Sequence, residues 1–201
     1  MATFAEIVTE VMEITARPDL VTLTRQSIRA AIVAAHSLQD FDRDIKEVAL
    51  AGYVPPVVST GEALEVQYHE EELPADFRQV TRVIANFGAD GIRDKFVKES
   101  GSLLYRYVGS REAWTYRILG NNIRVGFVGS PVSLSIAYYG FPAIDTAAPS
   151  TDSWICAGAS HEYITLHAAQ RVFRSLGMAD DARMLDPQLG EARADLLANY
   201  S

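Results

Sequence analysis

The hydrophobic period of this chain changes twice, and that limits its fold more than any single motif does. Near the start, Phe4, Ile7, Val8, Val11 and Met12 recur three and four residues apart, the stripe of an amphipathic helix. In mid-chain, Trp114, Tyr116 and Ile118 alternate with polar residues, and Ile123, Val125 and Phe127 follow. Val132, Leu134, Ile136 and Tyr138 continue with Ser133, Ser135 and Ala137 on the other side. That is the two-residue period of strands with one buried face. Ile155, Ala159, Tyr163, Leu166, Ala169, Phe173 and Leu176 then return to helical spacing. Strands gathered between helices, rather than alternating with them, predict an α+β chain and not a parallel α/β sheet.

The local signals refine this. Thr3 caps the first helix with Glu6 at the capping-box position. Arg17-Pro18-Asp19 breaks it, and an alanine-rich second helix runs from Leu20 to Ser37, making an αα-hairpin. Phe41 to Gly61 has no clear period. Leu64, Val66 and Tyr68, then Gln79 to Phe87 and Leu103 to Val108, read as strands. Asp90 to Ser100 reads as a loop or short helix. Gly120-Asn121-Asn122 and Gly129-Ser130-Pro131 are turns, and the three strands around them predict an antiparallel meander. Asp152 or Ser153 would cap the long late helix and Gly177 would end it. A last helical stretch, from about Asp180 to Ala198, restarts at Pro187 with Asp186 as cap. The expected organisation is one domain over 1–201, with helical parts at 1–40 and 150–201 and a β-rich insertion at about 62–142.

Composition bounds the function classes. The 201 residues are 48% apolar and carry a net charge of −8. That balance disfavours a duplex-DNA binder, because phosphate neutralisation supplies most of such affinity. It is compatible with letting DNA slide past, and equally with ordinary solubility. The single cysteine, Cys156, excludes an intrachain disulfide and a Cys-rich zinc site. The first residues carry Glu6, Glu10 and Glu13 without a basic stretch, so they do not read as a secretory signal. No apolar run reaches the ~20 residues that span a bilayer. The expectation is a chain made in the cytosol, with no membrane partner.

No catalytic constellation emerges. His161-Glu162 and His167 miss the metal-binding H-E-x-x-H spacing, since six residues separate the histidines by about 120° around a helix. Cys156 beside Ile155 reads as a small buried hydrophobe rather than a thiol nucleophile. There is no phosphate loop and no G-x-S-x-G elbow, and Gly88-Ala89-Asp90-Gly91 is a turn. Glu70-Glu71-Glu72 is either a solvated loop at a strand end, or a metal site or negative surface facing a polyanion, with no second carboxylate cluster in reach to support catalysis. Arg171 and Arg174 lie outside the apolar stripe of the late helix, either paired with an acidic neighbour or exposed. Tyr138-Tyr139-Gly140-Phe141-Pro142 either covers the sheet end or anchors a protein contact. The expectation is therefore no enzyme, no metal and no cofactor. The runner-up class is a small α+β hydrolase with a dispersed site drawn from His69, Glu70 and His161.

The layout resembles the head-to-tail adaptor (head-completion, or tubular gatekeeper) proteins of tailed bacteriophages. Phe4-Ala5-Glu6-Ile7-Val8 and Thr15-Ala16-Arg17-Pro18-Asp19-Leu20 are similar to their first helix and turn. His161-Glu162-Tyr163-Ile164, Ala168-Ala169-Gln170-Arg171-Val172-Phe173, Ala182-Arg183-Met184, Glu191-Ala192-Arg193 and Leu196-Leu197 are similar to their closing helices. The Tyr138 to Pro142 segment looks like their sheet-to-helix junction.

The resemblance implies a helical bundle carrying a β-rich insertion. It implies a virion neck protein, assembled in the host cytoplasm as a dodecameric ring beneath the portal and monomeric until then. A tail nozzle or tail-tube protein would bind below, and DNA would pass through without specific contacts. On that reading Tyr138, Tyr139 and Phe141 touch a neighbouring subunit or tail partner. Leu196, Leu197 and Tyr200 dock onto the portal, so that truncation after Gly190 ends docking and spares the fold. Glu70, Glu71 and Glu72 line the DNA channel. A tail terminator or minor tail protein is the nearest alternative.

Overall fold

The computed structural model describes residues 3–55, 66–98, 114–142, 154–156 and 161–200. The chain is α+β and forms two compact units. One is helical and joins Met1–Asp44 to Phe141–Ser201; the other, Ile45–Gly140, is built of strands. The β-rich part begins earlier than residue 62, because the strand at Ile45 belongs to it.

The helical unit contains α1 (Phe4–Thr15), α2 (Val21–His36), α3 (His161–Ser175), α4 (Ala179–Met184) and α5 (Asp186–Tyr200). Thr3 Oγ1 accepts from Glu6 N–H at 3.2 Å while Glu6 Oε2 accepts from Thr3 N–H at 2.6 Å, the reciprocal cap expected for α1. Ala16, in the left-handed region at φ 50°, turns the chain before Pro18. Helix α3 packs against the other four helices. Its Ile164, Ala168, Ala169 and Val172 join Ile7 and Val11 of α1 and Ile28, Ala31, Ile32 and Ala35 of α2 in one core. The alanines on α2 and α3 permit close approach of the two axes.

The late helix starts later than its period suggested. Trp154–Cys156 is a short 3-10 turn, residues 157–160 are outside the described set, and α3 begins at His161. Its end is as expected. Gly177, at φ 75°, lets its own N–H reach Arg174 O and that of Met178 reach Phe173 O, satisfying two terminal carbonyls. Buried Gln170 then donates to Ala182 O at 3.2 Å and to Asp186 Oδ1 at 2.6 Å, tying the α4–α5 turn to α3.

The β unit is a two-sheet sandwich. Its strands are β1 (Ile45–Ala49), β2 (Gln67–Glu72), β3 (Phe77–Asn86), β4 (Ile92–Arg93), β5 (Val97–Lys98), β6 (Thr115–Leu119), β7 (Asn122–Phe127) and β8 (Ser133–Gly140). One sheet has the order β1-β8-β3-β4 and the other β2-β7-β6-β5. Between them lie Val80, Val83, Leu134, Ile136 and Tyr138 from the first sheet and Ile123, Val125 and Phe127 from the second. All pairs are antiparallel except β5 with β6.

The meander expectation is half right. β6 and β7 form the hairpin around Gly120 and Asn121, with Gly120 at φ 61°. β8 does not continue that sheet; it crosses to the other and pairs with β1 and β3. Alternation reports which side of a strand is buried, not which strand lies beside it. Gly129 at φ 88°, the Val132 N–H bonded to Asn86 O and the Tyr53 hydroxyl donating to Pro131 O commit the chain to the second sheet. The expected strand at Leu103 to Val108 lies outside the described residues. Of the expected loop or short helix at Asp90 to Ser100, the described part up to Lys98 carries the end of a 3-10 turn and the short strands β4 and β5.

Candidate assembly surfaces

The aromatic junction splits by strand period. Tyr138 faces the sandwich core, stacked at a tilt on Phe77 with centroids 5.8 Å apart. Its hydroxyl donates to Asp76 Oδ1 at 3.0 Å, and the Lys46 ammonium donates to the other oxygen of Asp76. Burial, then the hydrogen bond and charge of Asp76, push the Tyr138 phenol up to about 12. Burial also works against the Asp76 carboxylate, but the bonds from Lys46 and Tyr138 outweigh it and hold the group below its usual range. A Cβ on Gly140 would come within 3.0–3.1 Å of Lys46, Asp76 and Tyr138, so the missing side chain leaves room for this cluster. Tyr139 and Phe141 are half-buried. Of the three aromatics expected at an interface, Tyr138 is thus occupied inside its own sandwich.

The acidic run splits for the same reason. Glu70 and Glu72 point outward, accepting from Asn122 Nδ2 at 3.1 Å and Asn121 Nδ2 at 2.8 Å. Glu71 turns to the other side, where it accepts from the Ala51 and Gly52 N–H groups at 3.0 and 3.2 Å and lies 3.0 Å from His69 Nε2. Three successive strand residues cannot share a face. The outer face is also not uniformly acidic. Arg124 stands opposite Glu70 in register and its guanidinium lies 4.1 Å over the Tyr68 ring. Glu70, Glu71 and Glu72 therefore do not form one acidic face: Glu70 and Glu72 share a side with Arg124 close by, and Glu71 does not.

The C-terminal residues also move inward. On α5, Ala192 and Leu196 are buried, and half-buried Leu189 and Leu197 pack on the same core. The three- and four-residue spacing of Leu189, Ala192 and Leu196 makes a stripe that seats α5 in its unit. Leu196 is therefore covered within its own unit rather than exposed for docking. The Tyr200 side chain lies outside the described residues.

What the sandwich does expose is apolar strand edge. β1 and β4 are the outer strands of one sheet. Ile45 is 41% exposed and Val48 36% on β1, and Ile92 is 70% exposed on β4. Unpaired edges with apolar side chains are pairing sites unless something covers them. No period marked β1 in the sequence, since Ile45 and Val48 stand three apart.

His69 and Glu70 occupy opposite faces of β2, which separates two members of the dispersed hydrolase set. His161 Nε2 lies 3.7 Å from Glu10 Oε1. His167 stacks at a tilt on Tyr163 instead, its Nδ1 buried and unpartnered. Cys156 is buried in the helical core. Among the described residues no group of three His, Cys, Asp or Glu side chains is placed to hold a metal ion. No described helix is long and apolar enough to cross a membrane. The polar cluster missed by sequence reading is His36, Asp44 and Trp154. His36 Nδ1 lies 2.8 Å from Asp44, and Trp154 Nε1 donates to the same carboxylate at 2.7 Å.

No protein-family model matches the chain. No curated protein matches it either.

Proposed function

We propose that this chain is a structural subunit of a tailed-phage head-to-tail junction, an adaptor that joins portal to tail as a ring around the DNA channel. The observation that carries the reading is one sheet with two different exposed apolar edges, Ile45 and Val48 on β1 and Ile92 on β4. A ring needs two unlike, complementary faces on every subunit, because each copy meets its neighbours head to tail. Exposed apolar edge strands suit that kind of contact better than they suit a lone monomer.

The inserted position of the sandwich supports the reading too. Both ends of the chain build the helical unit, and the β unit is carried between them. Such a subunit has one unit for the portal and another for its neighbours or the tail nozzle. The net charge of −8 suits a wall past which DNA moves without being held. On this reading the protein is not an enzyme and resides in the virion neck. The hydrolase alternative draws no support from the opposed placement of His69 and Glu70.

The test is to mix the purified chain with the portal protein encoded beside it and weigh the products by mass photometry. A stoichiometric ring of this chain on the portal is expected. Binding instead to a completed tail tube, with none to the portal, would assign it to another tail component.

A further inference from the structure

We propose that the helical unit carries a binding site for a phosphate-class dianion in the concavity between α2 and α3. The pocket has a volume of about 500 Å³ and is lined by Leu23, Gln26, Ser27, Arg171, Arg174 and Ser175. Every polar group in that lining except Ser175 has a proton to offer an anion, and no carboxylate is among them. Ser175 Oγ spends its proton on Arg171 O at 2.8 Å.

Three observations carry the inference. First, Arg171 and Arg174 stand one turn apart on α3 with no carboxylate partner among the described residues, in a chain with 26 acidic and 18 basic residues. Acidic side chains were available to pair with them, and none is placed there. Second, Ser27, only 4% exposed as a residue, lines this pocket together with Gln26, so α2 adds neutral donors to the two cations of α3. A hydroxyl lining the pocket can donate to a ligand oxygen. Third, the positive field is felt locally. Burial first, then the charges of Arg171 and Arg174, hold the His167 imidazole below its usual range.

The donor set favours phosphate over carboxylate. Two guanidinium forks, one hydroxyl and one amide approach from two helices, which is more than the two oxygens of a carboxylate use well. A tetrahedral dianion offers at least three oxygens and matches the charge of both arginines. The same chemistry is presented by free phosphate and by a phosphate monoester. The inference does not rest on the assembly reading.

The experiment titrates the full chain with inorganic phosphate and follows the arginine Nε–Hε signals by NMR, with sodium chloride at matched ionic strength as reference. Saturable shifts confined to two arginines are expected, and they should vanish in the R171Q/R174Q double variant. Affinity in either single variant should weaken by roughly tenfold or more. S27A should weaken it less, and because that change removes only one oxygen it also tests the pocket hydroxyl. Glycerol phosphate binding as well as phosphate would identify a monoester site; phosphate alone would identify a site for the free ion. Shifts no larger than those from chloride would overturn the proposal. So would equal binding of succinate, or binding only of an oligonucleotide without a terminal phosphate.

Discussion

His36 Nδ1 lies 2.9 and 2.8 Å from the two carboxylate oxygens of Asp44, and the two side chains are 1% and 2% exposed. A carboxylate only accepts, so Nδ1 carries the proton. The pair joins the last turn of α2 to the residue just before the β unit begins. Trp154 adds an N–H to Asp44, packs edge-on against His36 and Phe41, and lies under the Arg43 guanidinium at 5.5 Å. Asp44→Ala should therefore strand one buried and one half-buried donor and cost about 3 kcal/mol. Asp44→Asn, which keeps one acceptor, should cost less. Urea midpoints of the two variants check this; equal and negligible losses would show that the cluster is not stabilising.

The Lys46–Asp76–Tyr138 cluster predicts pH dependence at both extremes. Asp76 is held below its ordinary 3.8, so it adds stability above that value and loses it as pH falls through the lower native one. Tyr138 is raised from 10.0 to about 12, so its contribution is complete below pH 10 and is lost as pH rises from 10 toward 12. Burial pushes Tyr53 up to about 12 as well. Tyr138→Phe should flatten the alkaline limb of stability only in part, leaving the shares due to Tyr53, Tyr116 and Tyr163, and Asp76→Asn should flatten the acid limb in part, leaving the shares of Glu6 and Asp19. Thermal melts across pH measure both slopes.

Gly140→Ala tests the space above that cluster. The added methyl would meet three atoms at 3.0–3.1 Å, so Lys46, Asp76 or the Tyr138 ring must give way. A loss of about 1–2 kcal/mol is expected. Combined with Asp76→Asn, the two costs should be less than additive, since both act on one set of contacts.

Removing residues 191–201 should destabilise the helical unit rather than merely end docking. The cut takes away Ala192, Leu196 and Leu197, which pack on its core. Leu196→Ala alone should cost about 3 kcal/mol. Far-UV circular dichroism on heating distinguishes the outcomes: a full-length-like transition in the truncated chain would mean that α5 adds little.

Charge placed on the strand edge should separate assembly from folding. Ile45→Lys and Val48→Lys put charges on exposed β1 positions, where they block edge pairing and leave the sandwich core intact. The doubly substituted chain should melt within a few degrees of the parent and no longer form rings on the portal. Undiminished ring formation would remove β1 from the interface.

Much of the architecture was legible because it rests on local periodicity. The stripe Phe4, Ile7, Val8 and Val11, the Thr3–Glu6 cap, the β6–β7 hairpin and the turn at Gly177 are where the residues placed them. The surfaces were less legible. Tyr138 and Leu196 looked like interface anchors, but both are covered inside their own units. An aromatic or leucine near an element's end carries no label saying whether a neighbouring element will cover it.

Periodicity by itself determined that this is an α+β chain and which face of α1, α3, β6, β7 and β8 is apolar, because burial of a face imprints 3.6- or two-residue spacing on the residues that bear it. The tertiary structure alone decided which strands pair, that β8 leaves β7 for β1 and β3, that Glu71 parts from Glu70 and Glu72, and that His36, Asp44 and Trp154 meet. Those outcomes depend on contacts between residues far apart in the chain. Asp44 and Trp154 are 110 positions apart, and no local spacing encodes their hydrogen bond.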